Sequence, residues 1–220
     1  IFINMKKLFT IVILPLCAIF LVYLIYTSIM KPVNFNDEKA QREQVAIQRL
    51  TDIRTLQVAF KSVNNRFSSS VDSLIQFYNT GELTIVKQIG SMDDSLAVAR
   101  KQVKREEIKV PVKDTLFKDR PDLVLDSLRY VPFTNKMPIE INTVVKQVSG
   151  IPVPLFEAKV PYGVRPEAVN GVKQPFVGLL QGMDEQLIIN LNAEREDQGR
   201  YSGLMVGSID NPNNNAGNWE

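Results

Sequence analysis

The chain has 220 residues, 45% of them hydrophobic, enough for a membrane anchor plus one domain with a core of its own. Twenty-six Lys and Arg against 24 Asp and Glu leave a net charge of +2 with no basic block, so nucleic acid is not an expected partner. There is no histidine, which removes His-ligated zinc or iron and any Ser/His or Cys/His nucleophile pair, and the lone Cys17 leaves no intrachain disulfide.

Residues 1–7 are expected on the cytoplasmic side, with Ile1 to Asn4 preceding Met5, the natural-looking initiator, as a misplaced start or an artefact. Residues 8–30, Leu8 to Met30, carry no charge over 23 positions. At about 1.5 Å per residue they reach roughly 35 Å, against a hydrocarbon layer of about 30 Å, so they are predicted to span a bilayer and contact membrane lipid. Lys6 and Lys7 precede the run and predict a cytoplasmic N-terminus, a contrast that Lys31 reduces. Tyr23 and Tyr26 suit the interfacial belt, and Pro15 is tolerable within lipid. A cleaved signal would have a shorter apolar core, and a lipoprotein signal would place a small residue where Leu16 precedes Cys17.

Residues 31–80 are predicted to form an amphipathic stem and a short second helix. Pro32 predicts a stop or bend, and Asn36 or Asp37 a new N-cap, giving a hinge at the membrane surface. From Glu38 to about Val63, Val45, Ala46, Leu50, Ile53, Leu56, Phe60 and Val63 fall on one arc of a 3.6-residue helix. Arg42 and Arg49 intrude on that arc, while Ile47 and Val58 lie off it. A core helix and a partner interface are equally good readings of such an arc. Val45, Ala46, Leu50 and Ile53, nearer the membrane, are assigned to a partner interface; Leu56, Phe60 and Val63 are assigned to packing on the following sheet. Asn64 and Asn65 predict a turn, and Ser69 or Ser70 caps a second helix through Tyr78, closed by Asn79 and Gly81.

Residues 81–209 read as a β-rich domain. "LTIVKQIG", "IKVPVKDTLF", "SLRYVPF", "IEINTVVKQV", "LFEAKVPY" and "QLIINLNA" are short β-branched or alternating runs, expected as strands; "SMDDSLAVARKQVKREE" is expected as a short helix or a disordered excursion. Pro111, Pro132, Pro152, Pro154 and Pro161 cannot donate to a ladder, so their strands are expected to be edges, bulged, or loops. Residues 210–220 are a polar, Asn-rich tail that Trp219 could dock. The fold class expected is α+β: a transmembrane helix continuing through a hinge into an amphipathic helix, packed on a small, mostly antiparallel β domain.

Asp93 with Asp94, and Asp197 with Glu194 and Glu196, are acidic groups that could offer acid/base or calcium chemistry. Neither has an EF-hand spacing, and solvated turns are the commoner meaning of such pairs. The glycines of "GLLQGMDEQ" and "NNAGNWE" form no phosphate-cradling motif, and "KQVKREEIK" reads as a solvent face. No catalytic residue, metal ligand or cofactor is therefore expected, and the chain is not expected to be an enzyme.

The order of apolar helix, amphipathic continuation, "NNRF" and sheet resembles that of type IV pilins and type II secretion pseudopilins over the first 80 or so residues. Unlike a prepilin, the chain has no glycine before Phe9 and no glutamate in its apolar run, so neither prepilin processing nor a glutamate-registered filament is implied. "VAIQRLTDIRTLQVAFKSV", "VKQIGSMDDSLAVA" and "NNNAGNWE" are similar to a family of single-pass envelope proteins of the Bacteroidota, which implies the bacterial inner membrane, a periplasmic C-terminal domain and no particular activity. These resemblances suggest a non-enzymatic subunit of a pilus-like or secretion-type envelope machine, with other envelope proteins or copies of itself as partners. The alternative is a periplasmic ligand-binding or sensory domain on a single anchor.

Overall fold

The computed structural model of the chain describes residues 9–89, 104–120, 123–168 and 172–220. After a π-helical turn, Phe9–Ile13, one helix of 51 residues, α1, runs Leu14–Asn64. It contains no glycine, and Pro15 sits at its start, directly after the π-helical turn, where it removes one backbone donor. The predicted stop at Pro32 and new cap at Asn36 or Asp37 do not occur, because the helix continues through all three. Pro32 forfeits one backbone hydrogen bond. Good helix-forming sequence on both sides and the burial of Phe35 beneath the domain outweigh that loss. The end of α1 lies where "NN" predicts it: Asn65 takes the left-handed conformation (φ 55°) and its N–H bonds to the Lys61 carbonyl at 2.8 Å.

The apolar part of α1 is long and hydrophobic enough to cross a membrane, and none of its most apolar window is buried in the domain. Further along, α1 becomes the central element of the core. Ala46, Leu50, Ile53 and Leu56 pack with Phe156, Ala158, Val160 and Tyr162. The second helix, α2 (Val71–Thr80), follows a corner and is capped by Ser70, whose hydroxyl accepts from Asp72 N. The corner is locked by Gln57: its Nε2 donates to Ser68 O at 2.6 Å and its Oε1 accepts from Ser68 N at 2.9 Å, all of it buried.

Two antiparallel sheets follow. Strands β1 (Glu82–Ile89) and β2 (Lys104–Pro111) form a two-stranded ribbon; β3 (Glu140–Val148), β4 (Ile151–Pro161) and β5 (Gly203–Gly207) form a sheet in that order. The proline-rich β4 is the central strand, not an edge or a loop. The amide of Tyr162 donates to Ser202 O on the β5 side, and alternation sends the nitrogens of Pro152 and Pro154 to that same side. There β5 has already ended, at Glu157↔Gly207. Pro161 points its nitrogen toward β3, beyond the last partner pair, Glu140↔Lys159. Each proline thus sits where no donor is required.

Other short runs resolve differently from their strand-like composition. "IKVPVKDTLF" is strand only to Pro111 and then one helical turn, α3 (Val112–Thr115). "SLRYVPF" is a 3₁₀ turn, Leu125–Arg129, followed by a single bridge, Tyr130↔Pro138. "QLIINLNA" lies in a helix, α4 (Glu185–Asp197), because Asp184 caps the Gln186 and Leu187 amides and turns Leu187, Ile188 and Leu191 onto the core. Of "SMDDSLAVARKQVKREE", the last four residues are in β2 and the rest lies outside the described residues.

The loop between β4 and α4 returns at Gly178, whose φ of +154° favours glycine and where a Cβ would lie 2.8 Å from the carbonyl oxygens of Pro161 and Tyr162. The tail is docked: Gly207 N bonds to Ala216 O at 3.0 Å and Asn218 N to Met205 O at 2.9 Å. Trp219 packs on the core, and Arg54 pairs with Glu220 at 2.5 Å.

Candidate interaction site

The residues assigned from sequence to a partner interface are mostly interior. Ala46, Leu50 and Ile53 are fully buried in the chain's own core, and only Val45 is exposed. Of the residues assigned to packing on the sheet, Leu56 is fully buried in the core, Phe60 is half-buried, edge-on to Phe77 at 5.3 Å and shared with a small satellite cluster, and Val63 is exposed. The physical reason is the direction of β4, whose last residues lie against the membrane-proximal half of the stem. Tyr162 donates its hydroxyl hydrogen bond to Glu43, while Pro152 and Pro154 lie near Asn65.

The arginines that interrupt the apolar arc serve loop backbone. Arg49 Nη1 donates to Ser127 O (2.9 Å) and Tyr130 O (2.6 Å), and burial lowers its pKa. Arg42 Nη1 donates to Leu179 O (3.1 Å) and Gln181 O (2.9 Å), with its guanidinium 5.0 Å from the Phe133 ring centre. Asp52, also buried, accepts from Gln48 Nε2 at 3.1 Å and from Arg120; burial raises its carboxyl pKa despite those two partners. Burial, then Glu43, pushes the Tyr162 phenol well above its ordinary value, and burial with Glu140 and Glu157 pushes Tyr201 up to about 12. Arg42, Arg49, Asp52 and Tyr162 are thus ion-paired or hydrogen-bonded across the interface of α1 with the domain, an arrangement that fixes loops on the stem.

Of the acidic clusters, Asp93 and Asp94 lie outside the described residues. Glu194, Glu196 and Asp197 sit at the end of α4, where Glu196 accepts from the Ser202 hydroxyl at 3.1 Å. Among the described residues no three of His, Cys, Asp or Glu converge as a metal-binding set.

Among the described residues, a large concavity is a groove of about 1150 Å³ beside the C-terminal part of α1, far from its apolar segment. Arg54, Val58 and Lys61 of α1 form one wall; Leu83 of β1 and Pro152 and Pro154 of β4 face them. Asn214 and Asn215 of the tail close one end, both with positive φ. The wall holds two cations and no carboxylate. Arg54 donates to Glu220, and the Lys61 ammonium stands 4.9 Å from the Phe67 ring centre. Val58, an apolar residue 49% exposed, lies in the middle of the wall.

The groove continues into the β1–β2 ribbon. The register Leu83↔Val110 and Ile85↔Ile108 puts these four on one face. Leu83 and Val110 are half-covered near α1, whereas Ile85 is 44% and Ile108 41% exposed. A two-stranded ribbon is marginal alone, and among the described residues nothing layers over this outer stretch of its apolar face. Sequence reasoning missed the groove because five separate segments build it; its one local signal is Val58, apolar but off the buried arc. Comparison of the chain with known protein families, with characterised proteins and with solved structures finds no match.

Proposed function

We propose that this chain is a non-enzymatic subunit of a bacterial envelope assembly of the secretion or pilus-like type. The apolar part of α1 holds it in the inner membrane, its α+β domain stands in the periplasm, and it seats an extended segment of a partner protein. The observation that carries the reading is the groove of about 1150 Å³, which reaches Leu83 of the ribbon, with Ile85 and Ile108 exposed on the same ribbon face. An extended peptide with apolar side chains and an acidic group suits its Val58 and Leu83 surfaces and the Lys61 ammonium.

A photo-crosslinking residue at Val58 or Ile108 in native membranes is expected to give an adduct with one envelope protein, and Ile85→Asp is expected to remove it while leaving the fold intact. No adduct at either position would sink the reading. Protease added to spheroplasts is expected to digest the domain; full protection would overturn the proposed orientation.

A further inference from the structure

The end of the apolar helix is not a bare stalk. Leu24, Thr27 and Lys31 of α1 face Asp184, Gln186 and Leu187 across a crevice of about 430 Å³. Helix α4 then climbs beside α1, since its far end brings the Arg195 guanidinium to 4.9 Å from the Tyr162 ring, whose hydroxyl bonds to Glu43. The first turn of α4 therefore lies beside the end of the apolar segment. Leu24 lies six residues inside the end of the uncharged run at Met30, about 9 Å along the helix. A bilayer placed around residues 8–30 brings its headgroup layer to this crevice.

The lining matches that layer. Leu24 is apolar and lies within the uncharged run, Leu187 is an apolar lining residue packed on the core, and Lys31 and Gln186 offer donors. Lys31 has no carboxylate within 4.0 Å among the described residues. Asp184 spends one oxygen, Oδ1, on the amides of Gln186 and Leu187.

We infer that the crevice between α1 and the first turn of α4 seats a phospholipid of the adjacent leaflet, its phosphate at Lys31 and its acyl chains along Leu24, so that the domain rests on the membrane surface. This rests on α1 being a membrane anchor. Lysine at such a level reaches phosphate oxygens with its stem in the apolar zone.

The test uses the full chain with Cys17→Ser and one new cysteine carrying a bimane, in vesicles of phosphatidylethanolamine and phosphatidylglycerol. Position Gln186→Cys reports the crevice and Leu21→Cys the bilayer interior. Ile151→Cys reports the far end of the domain, roughly 45 Å further along α1. With headgroup-spin-labelled lipid, quenching at Gln186→Cys is expected to exceed that at Ile151→Cys several-fold, and Lys31→Glu to reduce it.

If Gln186→Cys is quenched no more than Ile151→Cys while Leu21→Cys is quenched by chain-labelled lipid, the inference falls and the anchor stands. If Leu21→Cys itself escapes quenching, the anchor falls and takes the inference with it. Quenching at Gln186→Cys that ignores Lys31→Glu would overturn the phosphate contact.

Discussion

Gln57 holds the corner between α1 and α2 with a closed pair of hydrogen bonds to the backbone of Ser68, 2.6 Å and 2.9 Å long, with the side chain fully enclosed. Gln57→Leu keeps the volume and the helix propensity but abandons a buried N–H and a buried C=O. Each abandoned group costs about 1–3 kcal/mol, so the variant is expected to lose about 2–6 kcal/mol. Gln57→Glu separates the two bonds: one carboxylate oxygen still accepts from Ser68 N, while the other faces the Ser68 carbonyl. Only the protonated acid can donate there, so the folded state raises the new carboxyl's pKa and the deficit shrinks as pH falls toward the ordinary glutamate range. Urea unfolding of the full chain in mild detergent, followed by near-UV circular dichroism, reads both effects. A Gln57→Leu variant within about 0.5 kcal/mol of the parent would show that water reaches Ser68 and that the corner is not locked this way.

Leu50→Ala is expected to cost about 2–5 kcal/mol in the same assay, whereas Val63→Ala, at an exposed site, stays within about 0.5 kcal/mol; equal losses would refute the placement of the core. Asp52 has a folded pKa raised by burial, so the parent's stability relative to Asp52→Asn is expected to fall as pH rises through that raised value, measured by denaturation at about pH 4 and about pH 7. The opposite trend would mean that Arg120 outweighs burial. Asn218 bonds through Nδ2 to Gly203 O at 2.9 Å and through Oδ1 to Met205 N at 3.1 Å, so Asn218→Ala is expected to speed carboxypeptidase trimming of the tail. Unchanged resistance would assign the docking to Trp219, the backbone bonds and the Arg54–Glu220 pair.

The apolar segment, the stem arc, the "NN" terminus and the Ser70 cap were legible because each is a local signal: charge-free length, a 3.6-residue period, a left-handed turn and a side-chain acceptor. The position of the core was not, since the same arc serves equally well inside a domain or between proteins. Deciding between them needs the direction of β4, more than ninety residues away. The arginines at 42 and 49 looked like defects in the arc because their carbonyl partners come from residues 127 to 181. "QLIINLNA" reads as a strand from its composition because a segment this short, with apolar residues at 187, 188, 189 and 191, fits either period; the cap at Asp184 decides for the helix. The prolines of β4 misled for a different cause: a strand can be central over part of its length and open over the rest.

That partial openness shapes how neighbouring copies meet. A free strand border ordinarily invites pairing that spreads from molecule to molecule. Past Glu157 the β5-side border of β4 presents carbonyl oxygens, but Pro152 and Pro154 have no hydrogen to give in return. An incoming strand would leave its own acceptors unanswered at both places. The border is therefore selective by hydrogen-bond polarity, poor at templating another strand yet able to receive a segment that brings donors.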